Sequence, residues 1–206
     1  MSAMSTLRYD LTSNDWVIFA PSRARRPHEL KKAAGLSAES LAFDSKCPFC
    51  PGNESMTPPE IYALRGSTSP IIPGWRVRVI PNKFPALRIE EHPHRLEDGP
   101  LFRYMGGCGA HEVIIESPDH QTVLARQRID QIEFVFRTLQ LRFNDLMRDV
   151  RFQTIVLFKN HGEAAGTSLQ HPHFQLIATP VDRRPHRLDH SHARPAAGDL
   201  HNLEGL

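Results

Sequence analysis

The chain has 206 residues, enough for one fairly large domain or two small ones and for a real buried core. Its apolar fraction of 40%, charged fraction of 23% and net charge of +2 are ordinary for a soluble globular fold. They predict neither a nucleic-acid footprint nor a membrane surface, and no stretch reaches the roughly 20 apolar residues of a transmembrane helix. Met1 to Asp10 lacks the apolar core of a signal peptide. The cysteines Cys47, Cys50 and Cys108 therefore point to reduced thiols and a cytoplasmic location.

In chain order, Trp16 to Ala20 reads as a short strand, ended by Pro21 and the basic run Arg23-Ala24-Arg25-Arg26-Pro27. Residues 28–46 are polar and read as a loop with a helical turn. Cys47 to Pro59 carries four prolines and a glycine and is irregular. Trp75 to Ile80 alternates as a half-buried strand should, and Asn82-Lys83-Phe84-Pro85 turns it. The charged stretch 90–100 reads as a solvated loop, and His111 to Glu116 as another strand. Apolar residues at 129, 132, 135, 136, 139, 143 and 146 fall at helical spacing, so Ile129 to Met147 is predicted helical. Phe152 to Phe158 is a strand, 160–170 a loop, and His171 to Thr179 a strand. Strands on both sides of one long helix predict an α+β fold with a mostly antiparallel sheet. From Asp182 to Leu206 the chain is rich in Arg, His and Pro, and it is expected to be loosely packed or disordered, leaving 1–181 as the domain.

Three features could carry chemistry. Cys47-Pro48-Phe49-Cys50 is half a metal site, a dithiol, or incidental. Pro51, Gly52 and Asn53 follow at once, so no helix opens there to stabilise a thiolate, and a metal knuckle fits better. Two cysteines leave such a site two ligands short. His171-Pro172-His173-Phe174-Gln175, if extended, turns His171, His173 and Gln175 to one face. Two imidazoles and an amide there suit a nucleophile with a partner, a nucleophile beside a metal ligand, or a structural or metal-only role. The small-residue loop Gly162 to Ser168 before it offers backbone N–H groups to a phosphate. His92-Pro93-His94 repeats the tripeptide without a strand or glycine loop and reads as solvent-exposed. His120 reads as a surface histidine unless a metal needs it. The arginines at 23, 25 and 26 read as a solvated turn or as forks for phosphates. Cys108, in Gly106-Gly107-Cys108-Gly109, reads as a mobile loop thiol, and nothing orders His186, His190, His192 and His201 into a cluster.

Taken in order from about residue 7 to 180, these segments resemble the N-terminal half of the galactose-1-phosphate uridylyltransferases, in the histidine-triad superfamily. The matching residues are Trp16-Val17-Ile18 with the arginine run, Cys47-Pro48-Phe49-Cys50-Pro51-Gly52-Asn53, and Val79-Ile80-Pro81-Asn82-Lys83-Phe84-Pro85-Ala86-Leu87. They continue through Gly109-Ala110-His111-Glu112-Val113, Ser117-Pro118-Asp119-His120, Asn160 with Gly162, and Gly166-Thr167-Ser168 leading to His171-Pro172-His173 and Gln175.

The resemblance implies a histidine-triad-like antiparallel sheet with a long packed helix, one half of a two-half architecture. It implies a structural zinc ion on Cys47, Cys50, His120 and His171, a closed Cys2His2 set. It makes His173 the nucleophile, with Gln175 assisting at the phosphate, and Arg23, Arg26, Asn82, Asn160, Gly166 and Ser168 the substrate-binding residues. The activity implied is that of a UDP-glucose:hexose-1-phosphate uridylyltransferase of galactose metabolism, working ping-pong through a uridylyl-histidine. Its partners would be a nucleotide sugar and a hexose 1-phosphate, with a second copy or a partner half, and no nucleic acid or membrane. Two positions depart from the pattern: Lys83 stands where an acidic residue often binds ribose, and Phe174 replaces a small residue and is expected to crowd the pocket. Lys83 keeps a phosphorylase on ADP-sugars or dinucleoside polyphosphates as the alternative. Ending soon after the first half, the chain is expected to be a truncation, a split enzyme or a weakly active zinc-binding fragment.

Overall fold

A computed structural model describes residues 4–25, 42–65, 74–99, 101–167 and 169–182. The predicted strands form β2 (Asp15–Phe19), β4 (Trp75–Pro81), β7 (Ala110–Ile115), β8 (Thr154–Phe158) and β9 (His173–Thr179), and the predicted helix is α1 (Ile129–Leu146). Strands β1 (Thr6–Asp10), β3 (Tyr62–Arg65), β5 (Arg95–Asp98) and β6 (Phe102–Gly106) join them. Two antiparallel sheets result, in the orders β2-β1-β6-β5 and β3-β4-β7-β9-β8, giving an α+β fold with one long helix.

The stretch 90–100 is not wholly a loop. Arg95 to Asp98 pair with β6 as the edge of the smaller sheet, and all four residues are exposed. A solvated edge strand needs no apolar alternation, so its charge disguised it. Neither β1 nor β6 was expected. The turn from β1 into β2 is built locally: the Asp10 carboxylate accepts from the Thr12 N–H and hydroxyl at 2.8 and 2.7 Å, and Asn14 takes the left-handed conformation that its short side chain tolerates.

Strand β7 is buried along its whole length because the larger sheet is covered on both sides. Ile114 faces α1, where Val135, Leu139 and Leu146 close over Val77, Val79, Leu176 and Ala178. Val113 and Ile115 face the other way and pack with Cys47, Phe49, Cys50, Trp75 and Ile80. The predicted helical stripe is therefore only partly inside, since Ile129 and Phe136 are more than half exposed. Arg142 is buried on the helix instead, gripping Glu112 of β7 with Nε and Nη2 at 2.9 and 2.7 Å. Period-two alternation also sends Phe174 to the helix side, against Phe136 at 6.5 Å between ring centroids, so it does not crowd the pocket.

The link between the sheets, 107–109, explains Cys108. It is fully buried in the helix-side core, not a mobile loop thiol. At Gly109 a Cβ would lie 2.4 Å from the Ala178 carbonyl oxygen, so only glycine lets the chain pass. His92 and His94 are not buried, in keeping with the solvated reading of that tripeptide. Among the described residues no helix is long and apolar enough to cross a membrane. The expected tail, apart from Asp182, and its four histidines lie outside the described residues.

Candidate active site and metal centre

The Cys47–Cys50 knuckle is a tight turn whose Cys50 N–H donates to the Cys47 carbonyl at 3.2 Å. Asn53 locks it, donating from Nδ2 to the carbonyls of Asp44, Ser45 and Cys47. The knuckle lies against the β7–β9 sheet, where His171 enters just ahead of β9 and His120 follows the Ser117-Pro118-Asp119 turn. His120 is buried, which excludes the surface reading. One ligand atom from each of Cys47, Cys50, His120 and His171 falls within 4.8 Å of all the others, so this group could bind a metal.

The spacing suits a tetrahedral cation. Metal–sulfur and metal–nitrogen bonds of about 2.3 and 2.0 Å imply sulfur–nitrogen edges of about 3.5 Å. Nδ1 of His120 lies 3.3 Å from Cys50 Sγ, and Nδ1 of His171 lies 3.7 and 3.8 Å from Cys50 and Cys47 Sγ. His171 donates from Nε2 to the Ser117 carbonyl at 2.8 Å, which leaves the Nδ1 lone pair toward the thiols. Burial holds the His171 pKa down at about 4, so its ring is a neutral ligand. Burial also pushes the Cys47 thiol up to about 12, a protonated state that a bound cation would reverse.

His173 follows on the same face of β9 and is buried. Its Nδ1 donates to the His171 carbonyl at 2.9 Å, since a carbonyl can only accept, and Nε2 is then the nitrogen with the lone pair. The ring meets Phe49 edge-on at 5.3 Å between centroids. Beside it opens a cavity of about 200 Å³, walled by Phe49, Ile80, Phe84, Val113 and Leu169 and carrying Lys46, Lys83, Asn82 and Gln175 among its polar groups.

The structure thus brings His173, Gln175 and Asn82 to one cavity, beside the four possible ligands. Arg23 does not line it: one guanidinium nitrogen donates to the Phe84 carbonyl at 2.6 Å, supporting the turn that walls it. Asn160 and Gly166 lie in the segment between β8 and β9 and are not part of the wall. Arg26 and Ser168 lie outside the described residues. Sequence reasoning passed over Lys46, Phe49 and Phe84 as cavity residues, and gave no role to His111. For the last, alternation along β7 puts it on one face with Val113 and Ile115, but that this face meets Gln175 follows only from the β7–β9 pairing.

A family model described as galactose-1-phosphate uridyl transferase, N-terminal domain, matches residues 1–182. An ADP-glucose phosphorylase of Arabidopsis thaliana is 36% identical over 177 residues, 85% of this chain and 48% of the relative. A galactose-1-phosphate uridylyltransferase of Haemophilus influenzae is 29% identical over 172 residues, 83% of this chain and 46% of the relative. Among solved structures, an ADP-glucose phosphorylase from Arabidopsis thaliana with bound ADP-glucose matches with a TM-score of 0.56 and 32% identity, covering 85% of this chain and 49% of that one. A uridylyltransferase structure shares the fold at a TM-score of 0.59 and 21% identity, over 86% of this chain and 46% of that one. The chain spans about half the length of the relatives it matches.

Proposed function

The chain belongs to the galactose-1-phosphate uridyl transferase family by its match to the N-terminal domain, and from that premise we propose that it transfers a nucleoside monophosphate through His173. The observation that carries this is the bond from His173 Nδ1 to the His171 carbonyl, in a cavity wall shared with Gln175. A neutral histidine that donates from Nδ1 carries its lone pair on Nε2 and has one ring orientation.

Nε2 attacks the α-phosphorus of a nucleoside diphosphate hexose, the bond to the bridging oxygen breaks, and hexose 1-phosphate leaves. The nucleotidylated ring keeps its proton on Nδ1, still donated to the His171 carbonyl, which stabilises the positive charge. An incoming phosphate oxygen then takes the nucleotide and returns the ring to neutral. Gln175 donates to a non-bridging phosphate oxygen during both transfers. Lys46 and Lys83 bring positive charge to the diphosphate, and Phe49, Phe84 and Leu169 offer apolar wall to the base. Asn82 fixes the turn before Phe84. The family match alone supports Arg23, Arg26, Asn160, Gly166 and Ser168 as further substrate-binding residues, since Arg23, Asn160 and Gly166 do not line the His173 cavity.

Cys47, Cys50, His120 and His171 would hold a zinc ion with four protein ligands, which would supply cross-linking and not Lewis acidity. By joining the knuckle to His171 these residues hold the carbonyl that orients His173. The other half of the active site is assigned to a partner half or a second copy, and hexose 1-phosphate to the acceptor side.

The acceptor and base define two readings. Uridylyl transfer between UDP-glucose and galactose 1-phosphate, as part of galactose metabolism, is supported by the family model. Adenylyl transfer from an ADP-sugar to phosphate is supported by the 36% identity to the Arabidopsis ADP-glucose phosphorylase. Incubation with UDP-glucose and, separately, ADP-glucose, each labelled at the α-phosphate, distinguishes them. Acid-labile label on His173 from UDP-glucose is the expected result; label from ADP-glucose alone overturns the uridylyl reading, and label from neither overturns nucleotidyl transfer by this chain.

A further inference from the structure

We infer that His111 is a positioning residue that fixes the Gln175 amide with its NH2 group toward the transferring phosphate. The inference rests on the nucleotidyl-transfer reading above and starts from one backbone donor. The Ala86 N–H points at His111 Nδ1 from 3.0 Å, and an N–H can only donate. Nδ1 is therefore the acceptor, and the neutral ring carries its proton on Nε2. That Nε2 lies 3.0 Å from Gln175 Oε1 and donates to it.

Asn82 adds a second constraint. The Phe84 N–H donates to Asn82 Oδ1 at 2.9 Å, which fixes that amide and places its Nδ2 3.4 Å from the same Gln175 oxygen and 3.1 Å from His111 Nε2, two donors side by side whose shared acceptor is Gln175 Oε1. Two N–H groups thus converge on Gln175 Oε1. Rotating the Gln175 amide by half a turn would set its NH2 against both of them, donor to donor. The oxygen end is held inward, and the NH2 end is what the cavity receives beside His173.

The chemistry requires that polarity. A phosphoryl oxygen gaining charge during transfer is stabilised by an N–H and repelled by a carbonyl oxygen. An amide is a donor and an acceptor of nearly equal shape, so glutamine alone does not specify which end meets the phosphate. Here the specification is relayed from the Ala86 backbone through the His111 tautomer. His111 is buried, so water does not compete for either ring nitrogen.

The test is single-turnover nucleotidylation of the full chain, with the better of α-labelled UDP-glucose and ADP-glucose. His111→Phe keeps the ring volume and removes both nitrogens; it should slow transfer roughly 10- to 100-fold, less than the roughly 100- to 1,000-fold of a deleted transition-state donor because the Gln175 amide stays present but unfixed, while nucleotide-sugar affinity changes little. His111→Gln can place an N–H near the position of Nε2 and should recover most of the rate, whereas His111→Asn should not. In a Gln175→Ala background, His111→Phe should have no further effect. An equal loss in both backgrounds, or a wild-type rate for His111→Phe, overturns the inference. Nitrogen-15 NMR of the wild-type ring reads the tautomer without any variant, and a proton on Nδ1 also overturns it. A wild-type chain that takes no label overturns the parent reading and this role together; a labelled wild type indifferent to His111 overturns this role alone.

Discussion

His171 and His173 are joined by more than sequence: the backbone carbonyl of His171 accepts the Nδ1–H of His173 at 2.9 Å, while the His171 side chain turns toward the two thiols. One residue thus belongs to the possible metal centre through its side chain and to the proposed nucleophile through its backbone. This division makes the two histidines separable by mutation. His173→Gly should abolish nucleotide labelling yet leave a metal stoichiometry of about one per chain. His171→Ala should lower the metal content first. Elemental analysis beside the labelling assay checks both, and loss of metal with His173→Gly would mean the two roles have been exchanged.

Metal binding should appear chiefly as stability. The four ligands come from the knuckle, the segment after β7 and the entry to β9, so a cation there ties together parts of the chain far apart in sequence. Binding energy at a structural zinc site is largely folding energy, on the order of 10 kcal/mol in small zinc-dependent folds and less where a core already exists. Cys47→Ser should lower Tm by more than about 5 °C, an expectation of about 2 kcal/mol or more for a domain of this size. Chelation of the wild type should move Tm the same way in calorimetry. A metal-free Cys47→Ser chain melting with the wild type would remove the structural role.

Much of the larger sheet and the helix was legible in the sequence through periodicity and short motifs. The five strands with apolar runs, the helix and the shared face of His173 and Gln175 are all consequences of spacing 2 or 3.6. Strand β5 was hidden because an exposed edge is stabilised by backbone pairing alone, and Cys108 because glycines on both sides imitate a flexible loop. Phe174 leaves the pocket by the same alternation that brings its two neighbours into it. The His111–Gln175 contact was beyond reach because it depends on strand register, which single-sequence patterns do not set. Arg23 has the chemistry of a phosphate fork, but its contact with a backbone carbonyl is a tertiary fact.

The Glu112–Arg142 pair should be the most sensitive polar contact on the helix side. Both side chains are buried, the grip is bidentate, and Arg142 also reaches Asp145 at 2.8 Å. Removing one partner leaves a buried charge, which typically costs about 3–5 kcal/mol, whereas replacing both by apolar groups is often close to neutral. Arg142→Ala should therefore lower unfolding free energy in urea by about 3 kcal/mol or more. The double change Glu112→Leu with Arg142→Met should recover most of that loss. A double variant as unstable as the single one would show that the pair itself, and not the stranded carboxylate, provides the stability.

Glu116 gives a pH dependence of known sign. It is fully buried, it bonds Lys159 through one carboxylate oxygen, and the other oxygen has no hydrogen-bond partner among the described residues. Burial raises its pKa above 4.5, and the hydrogen bond and charge of Lys159, with the charge of His161, oppose the shift without cancelling it. A carboxyl whose folded pKa lies above its unfolded value binds more protons when folded. Its contribution to stability is complete below pH 4.5 and is lost as pH rises through the raised folded value. Glu116→Gln carries no such titration. The stability of the wild type relative to Glu116→Gln should therefore fall as pH rises from about 4 toward neutral, as read from urea unfolding at a series of pH values. If the relative stability instead rose with pH, the Lys159 ion pair would outweigh desolvation, and the folded carboxyl would lie below its ordinary pKa.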